Sequence, residues 1–311
     1  MTTKSKVIVL AGPTASGKTS LSIELAKKIN GEIISADSMQ IYKDMDIGTA
    51  KVTEEEKEGI MHYLVDFVEP DKRYTVSDFK KDAEKAIEEI LAKGKVPIIV
   101  GGTGMYVNTL IYGIEYQEMQ FDEEYRDMLM KKAETDEGLA EIYEQAKKID
   151  EQAVKNISKN DKKRLVRVLE IYKATGKNKT EQEILSRQNG VKYDYRVFAI
   201  DMEREVLYSR IDKRVDIMIE LGLEEEVRKL INKYQKFPTA MQGLGYKEVI
   251  EYFDGKISRE EMIDKIKKET RHYAKRQLTW FRKNKEITWL NGLEEKQNNV
   301  EIILEGYSER R

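Results

Sequence analysis

Residues Gly12-Pro13-Thr14-Ala15-Ser16-Gly17-Lys18-Thr19 match G-x-x-x-x-G-K-[ST] at every fixed position. The apolar run Val7-Ile8-Val9-Leu10 precedes them, and Leu21, Leu25 and Ile29 follow at helical spacing. Strand, glycine-rich loop and helix in that order predict an α/β fold. Small residues in such a loop let successive N–H groups converge on an anion. The helix N-terminus adds unpaired donors and partial positive charge. Lys18 supplies a mobile point charge for phosphate oxygens, and the Thr19 hydroxyl is placed to ligate a Mg²⁺ that keeps most of its waters. The plain alternative is an ordinary Gly/Ser-rich turn. Nothing in the loop names the phosphate ester it holds.

The chain around the loop supports a parallel sheet. Glu32-Ile33-Ile34-Ser35-Ala36-Asp37 reads as a second strand ending in an acid, and His62–Asp66 as a short strand or loop end. A helix is expected from Ser77 or Asp78 to about Lys93, closed by Gly94. Val96-Pro97-Ile98-Ile99-Val100 is a buried strand running into Gly101-Gly102-Thr103-Gly104. This alternation predicts a P-loop NTPase-like parallel sheet flanked by helices, with ligands at the strand C-termini. The turns at Gly12–Thr19, Asp37–Gln40 and Gly101–Gly104 then share one edge. Strand patterns vanish between Glu115 and Lys192, where charged helical patterns predict an inserted all-helical subdomain. Tyr195–Asp201 returns to the sheet, and helices follow, the last spanning Arg259–Lys285. The expected organisation is a core in two parts, 1–114 and 195–290, a helical insertion at 115–194, and a tail at 291–311 with no readable motif.

The last long helix segregates its charge. Between Lys265 and Lys285 stand nine basic residues and one acid, Glu269, in a chain whose net charge is only −2. A helical wheel puts Ile263, Ile266, Tyr273, Ala274, Leu278, Trp280 and Phe281 within about 160°, opposite Lys268, Arg271, Lys275, Arg276, Arg282 and Lys283. Such a face is either solvated surface or a stripe that tracks a nucleic-acid backbone. The chain has no cysteine and only two histidines, His62 and His272, which excludes thiolate chemistry and argues against a His-rich metal site. No apolar run approaches the ~18 residues of a membrane span, so a cytoplasmic protein without membrane association is expected.

A loop of this type that transfers a γ-phosphate is usually paired with an acid at the end of a neighbouring apolar strand. Val96–Val100 ends in glycines instead. Asp37 can serve as that acid, as a general base for an incoming nucleophile, or as a turn former. Gln40 can read an adenine edge through its amide, or be ordinary surface.

Taken together, these turns resemble the tRNA dimethylallyltransferase (tRNA isopentenyltransferase) family. The resemblance rests on Gly12–Thr19, Asp37-Ser38-Met39-Gln40-Ile41-Tyr42, Gly101-Gly102-Thr103-Gly104-Met105-Tyr106, Arg164–Glu170, Gly245-Tyr246-Lys247-Glu248 and Thr270–Arg282, in the family's order. It implies transfer of a dimethylallyl group from dimethylallyl diphosphate to the exocyclic amine of adenosine 37, 3′ of the anticodon, in tRNAs reading codons that start with U. The loop Gly12, Pro13, Thr14, Ala15, Ser16, Gly17, Lys18 and Thr19 then holds a diphosphate leaving group rather than ATP, with Mg²⁺. The resemblance assigns Asp37 as the base, Thr14 to the bridging oxygen and Arg214 to a further phosphate contact. It assigns tRNA contacts to Asp37, Ser38, Met39, Gln40, Thr103 and Arg126, to Lys163, Arg164, Leu165, Val166 and Arg167, and to Gln242, Gly243, Leu244, Gly245, Tyr246 and Lys247. The basic stripe adds Arg271, Lys275 and Arg282. Gln242 stands where many members carry Arg, and Met61 replaces a usual proline. A monomer acting on a tRNA anticodon stem-loop is expected. A P-loop small-molecule or nucleotide kinase would use the same loop but leaves the basic helix unexplained. A nucleotide-gated RNA-binding protein explains the helix but not the pairing of Asp37 with Thr14.

Overall fold

Strand β1 (Lys6–Ala11) is buried on both faces after its first residue, as an unbroken Val/Ile/Leu run requires. It sits inside a six-stranded sheet with β2 (Gly31–Ser35), β3 (His62–Tyr63), β4 (Val96–Gly101), β5 (Asp194–Asp201) and β6 (Thr288–Asn291). The order is β3-β2-β4-β1-β5-β6 and every pairing is parallel. Ile8 pairs with Ile98 on one side of β1, and Leu10 with Phe198 on the other. Because β4 separates β1 from β2, the chain leaves β1 in one direction and returns beside it from the other. The crevice beyond β1 is therefore the expected ligand position.

The computed structural model describes residues 4–116, 122–187 and 190–309. Two compact units divide the chain, one of Met1–Ile111 with Lys192–Arg311, the other of Tyr112–Val191. The first holds the sheet with α1 (Lys18–Ile29), α2 (Glu54–Lys57), α3 (Val76–Ala92) and α4 (Gly104–Ile111). The second is helical among its described residues: α5 (Glu123–Lys132), α6 (Asp136–Ile149), α7 (Glu151–Val154), α8 (Lys162–Thr175) and α9 (Lys179–Leu185). Leu129, Ile142, Leu165, Val166 and Leu169 form its core. The chain then completes the first unit with α10 (Arg204–Glu220), α11 (Leu223–Lys233), α12 (Tyr246–Phe253), α13 (Arg259–Phe281) and α14 (Lys296–Ser308).

Three local features differ from the sequence reading. Helix α3 starts at Val76, not Ser77 or Asp78, because Thr75 and Asp78 form a capping box, each side chain accepting from the other's backbone N–H at 3.2 and 2.8 Å. Helix α13 stops at Phe281 instead of Lys285. The Lys283 and Asn284 N–H groups bond three residues back, to Trp280 and Phe281, and the chain turns into β6. Trp280 is 37% exposed, against its place on the apolar side of the wheel, while Gln277 is buried on that side.

The segment after Asn291 is built into the core. Val300 and Ile303 of α14 join Leu21 and Leu25 of α1 and Phe198 of β5 in one buried cluster. Lys6 Nζ donates to the carbonyls of Tyr307 and Glu309, and Arg196 to that of Glu309 at 2.9 Å. These cations satisfy the end of α14 and complement its dipole. Ile303→Ala should therefore cost about 2–5 kcal/mol, read as a lower urea midpoint with an unchanged m-value. A change within error would make α14 a peripheral attachment.

Candidate active site

The loop after β1 takes a conformation only part of its sequence adopts freely. Ala15 and Gly17 have φ of 62° and 89°, and left-handed backbone at a non-glycine costs about 1–3 kcal/mol. Left-handed residues in such a turn are the geometry that lets successive N–H groups converge on an anion. Inside the loop, Ser16 Oγ donates to the Pro13 carbonyl at 2.8 Å and Lys18 Nζ to the same carbonyl at 2.6 Å. The first helical bond closing onto the loop runs from Leu21 N–H to the Gly17 carbonyl at 3.2 Å. The N–H groups before it have no intrahelical acceptor. Thr14 N–H is an exception within the cradle: it points at Gln277 Oε1, 2.9 Å away.

Beyond β2 the chain turns sharply at Asp37. Its Oδ1 accepts from Met39 N–H at 2.9 Å and Gln40 N–H at 3.3 Å. One carboxylate oxygen thus forms the turn, the role sequence offered as an alternative to catalysis, and Oδ2 is left for other partners. Thr103 Oγ1 accepts from Ser38 N–H at 3.0 Å. The Gln40 amide is committed within the protein, accepting from Ser35 Oγ at 3.3 Å and donating to the carbonyls of Thr49 and Ala50 at 3.3 and 3.2 Å. It is not free to read a base edge in this conformation.

The glycines after β4 serve close packing. A Cβ on Gly101 would lie 2.2 Å from the Ala36 carbonyl oxygen, one on Gly102 would lie 2.1 Å from Gln277 Nε2, and one on Gly104 would lie 2.3 Å from the Trp280 ring. The turn is glycine-rich because β2 and α13 press against it.

These segments enclose a cavity of about 370 Å³ whose walls include Thr14, Lys18, Thr19, Asp37, Arg214 and Tyr273. Ser38, Met39, Gln40, Gln242, Gly243, Leu244, Tyr246 and Lys247 also reach it. Burial, with the Arg214 charge next, lowers Lys18 to about 7, while Asp37 opposes the shift. Burial also lowers Arg214, again opposed by Asp37. Burial and then Asp37 push the Tyr273 phenol up to about 12, so it stays neutral at physiological pH. Two partly desolvated cations and one carboxylate make this an anion site with a nearby proton acceptor.

Other predicted residues lie elsewhere. Arg271 makes two contacts to the Asp212 carboxylate at 2.6 and 2.7 Å, and Arg282 reaches Asp201 at 3.2 and 3.1 Å. Lys275 and Arg282 border a separate hollow of about 710 Å³ at the ends of β5 and β6, together with Trp289. The predicted single stripe is thus divided: Arg276 lies on the smaller cavity, beside Tyr273 and Gln277 from the apolar side of the wheel. In the helical unit, Arg126 Nη1 donates to both Glu170 carboxylate oxygens at 2.9 and 2.8 Å, and Arg167 lies 3.8 Å from the same carboxylate. Lys163 and Arg164 are exposed at the start of α8, whereas Leu165 and Val166 are fully buried. The side chains of those two are core, which corrects their assignment as surface contacts. Tyr246 is buried too, its hydroxyl donating to Glu226 at 2.7 Å. That carboxylate also accepts the N–H groups of Asp46, Ile47 and Gly48. Gln277 and Tyr273 line the cavity without being singled out by any sequence motif as site residues. The available signal was a polar residue one turn after Tyr273 on the apolar side of the wheel.

The low Lys18 value has a measurable sign. Burial shifts Lys18 toward its neutral form as pH rises from 7 to 8 in the empty site, and a bound anion favours the charged form again, so binding there takes up a proton. Calorimetric titration with pyrophosphate in buffers of different ionisation enthalpy should show more proton uptake at pH 8 for the wild type than for Lys18→Met. The difference should vanish toward pH 6. An equal uptake at pH 8 would mean Lys18 is already charged in the empty site.

An IPP transferase family model matches residues 40–284. A tRNA dimethylallyltransferase of Acetivibrio thermocellus is 51% identical over 286 residues, 92% of this chain and 91% of that one. The crystal structure of a tRNA delta(2)-isopentenylpyrophosphate transferase from Staphylococcus epidermidis is 43% identical, with a TM-score of 0.72 over 99% of this chain and 100% of that one. A eukaryotic dimethylallyltransferase captured acting on tRNA aligns with a TM-score of 0.80 at 33% identity, covering 99% of this chain and 80% of its own. A parallel sheet with the loop at Gly12–Thr19, and this similarity along nearly the whole chain, lead to one conclusion: the chain belongs to the IPP transferase family, with the tRNA dimethylallyltransferases.

Proposed function

We propose that this protein transfers the dimethylallyl group of dimethylallyl diphosphate to the N6 amine of adenosine 37 in tRNAs that read codons beginning with U, releasing diphosphate. The observation that carries this reading is Asp37 in the same cavity as Lys18, Arg214 and the P-loop. A proton acceptor and an anion cradle at one site suit attack by a neutral amine with departure of a highly charged leaving group. A kinase reading leaves the family relationship unexplained, and an RNA-binding protein without group transfer has no use for Asp37 beside the cradle.

In this reading the amine nitrogen attacks C1 of the dimethylallyl group, and the bond from C1 to the bridging oxygen breaks. The electron pair leaves with the diphosphate. Asp37 Oδ2 takes the amine proton while Oδ1 stays bonded to the turn, which aims the base. The loop N–H groups, Lys18 and Arg214 meet the charge that grows on the leaving group, and Thr14 lies toward the bridging oxygen. The target adenine must leave its stack to reach the cavity. Ser38, Met39 and the 242–247 segment form its walls, and Thr103 braces Ser38.

The donor set fits Mg²⁺. Thr19 is an exposed neutral hydroxyl on the cavity wall. Among the described residues no group of three or more Asp, Glu, His or Cys could hold a metal alone. Such a site suits a hard cation that keeps several waters and takes its remaining ligands from Thr19 and diphosphate oxygens. When bound, Mg²⁺ supplies further neutralisation of the diphosphate. The helical unit contributes Lys163 and Arg164 to the tRNA backbone. The reading places the protein in the cytoplasm as a monomer, and no helix among the described residues is long and apolar enough to cross a membrane.

Incubation with Mg²⁺, dimethylallyl diphosphate and an unmodified tRNA bearing adenosine 37 should add one dimethylallyl group, detected by mass spectrometry of the RNA. ATP hydrolysis without that gain would support a kinase. Asp37→Asn keeps an oxygen for the Met39 and Gln40 N–H groups, so the turn survives. Transfer should fall about 10²–10⁴-fold, with diphosphate affinity largely retained; equal losses in both would remove the base role. Lys163→Ala with Lys275→Ala should reduce the salt dependence of tRNA binding by about one slope unit per lost phosphate contact. An unchanged slope would return both lysines to ordinary surface.

A further inference from the structure

The Gln277 side chain joins both halves of the site. It is 5% exposed. Its Oε1 accepts from Thr14 N–H at 2.9 Å, and its Nε2 donates to the Gly102 carbonyl at 2.9 Å. The loop it grips on one side carries the phosphate cradle. The turn it grips on the other presses on the chain just after β2, where Ala36 directly precedes Asp37: Ala36 N–H bonds the Val100 carbonyl at 2.8 Å, and Thr103 N–H bonds the Ala36 carbonyl at 3.2 Å. Gly102 can approach only because it lacks a Cβ. Tyr273 and Arg276, on the same helix, line the cavity.

We propose that Gln277 is a positioning residue that sets the separation between the diphosphate cradle and Asp37. The proposal rests on the transfer reading above. An amide is required because one end must accept and the other must donate. The Thr14 N–H is drawn toward α13, away from the cradle, so that the rest of Thr14 faces the cavity. A side chain that loses either bond releases the loop or the Gly102 turn, and the base and the breaking bond drift apart. Misplacement of about 1 Å costs roughly 10²-fold in rate. The charged and titratable groups on the adjoining cavity are Lys18, Asp37, Arg214, Tyr246, Lys247, Tyr273 and Arg276.

Gln277→Glu and Gln277→Met separate positioning from bulk. An ionised carboxylate accepts from Thr14 N–H but repels the Gly102 carbonyl; its protonated form restores both bonds with nearly the same shape. Gln277→Met keeps the length and loses both bonds. At pH 8 both should lower kcat about 10–10²-fold and raise the KM for dimethylallyl diphosphate, leaving tRNA affinity within about twofold. From pH 8 to pH 6 the deficit of Gln277→Glu relative to wild type should shrink, while that of Gln277→Met stays constant. Parallel deficits across the pH range, or wild-type kinetics in either variant, would overturn the proposal. If Gln277→Met does not fold, as judged by its thermal melt, the Gln277→Glu pH series decides alone. If the wild type itself transfers nothing, the function reading fails. The same variants are then compared by calorimetric pyrophosphate affinity, where equal affinities for wild type and Gln277→Glu at pH 8 overturn the proposal.

Discussion

Three backbone segments meet at one buried amide. The loop after β1, the glycine turn after β4 and helix α13 approach closely enough that Gln277 bonds the first two at 2.9 Å each. Much of the site follows from that approach. Gly102 has no room for a side chain, Gly101 is pressed against Ala36, and Gly104 lies under the Trp280 ring. A buried amide costs free energy unless its polar atoms are paired, and here both ends are. The same bonds hold together the loop that carries Lys18 and the strand that leads to Asp37.

The electrostatics of the cavity follow from its burial. Lys18 and Arg214 lie close together in a partly dry space, and each loses some preference for its charged form. Asp37 offsets part of that cost. An anion entering the site relieves it more fully, because it brings charge to groups already oriented and already desolvated. The empty site is thus electrostatically poised for a multiply charged ligand, while β1, buried on both faces, supplies a rigid base for the loop.

Much of the fold was legible in the sequence, for a simple reason. Buried parallel strands are apolar runs, and their punctuation is glycine-rich, so Val7–Leu10, Ile33–Ile34 and Ile98–Val100 stood out. Strand β6 was not legible, because Thr288-Trp289-Leu290-Asn291 is short and lies on an edge. Helix α14 was not legible because its apolar residues matter only once Phe198 and Leu25 are brought beneath them. Local propensity cannot report such long-range burial.

The sequence by itself determined the strand–loop–helix cradle, because glycine spacing and the Lys18-Thr19 pair are local chemistry. It also determined Asp37 as an acid at a strand end and the basic bias of α13. Tertiary structure alone decided which of those charges are available. Arg271, Arg126 and Arg282 look equivalent to Lys163 in sequence, yet each meets a carboxylate from elsewhere in its own unit. It also decided that Leu165 and Val166 are core, that Gln40 is spent on backbone carbonyls, and that Gln277 is the clamp. The physical reason is range: a motif records which groups can bond, while the partner that occupies each group comes from packing between segments far apart in the chain.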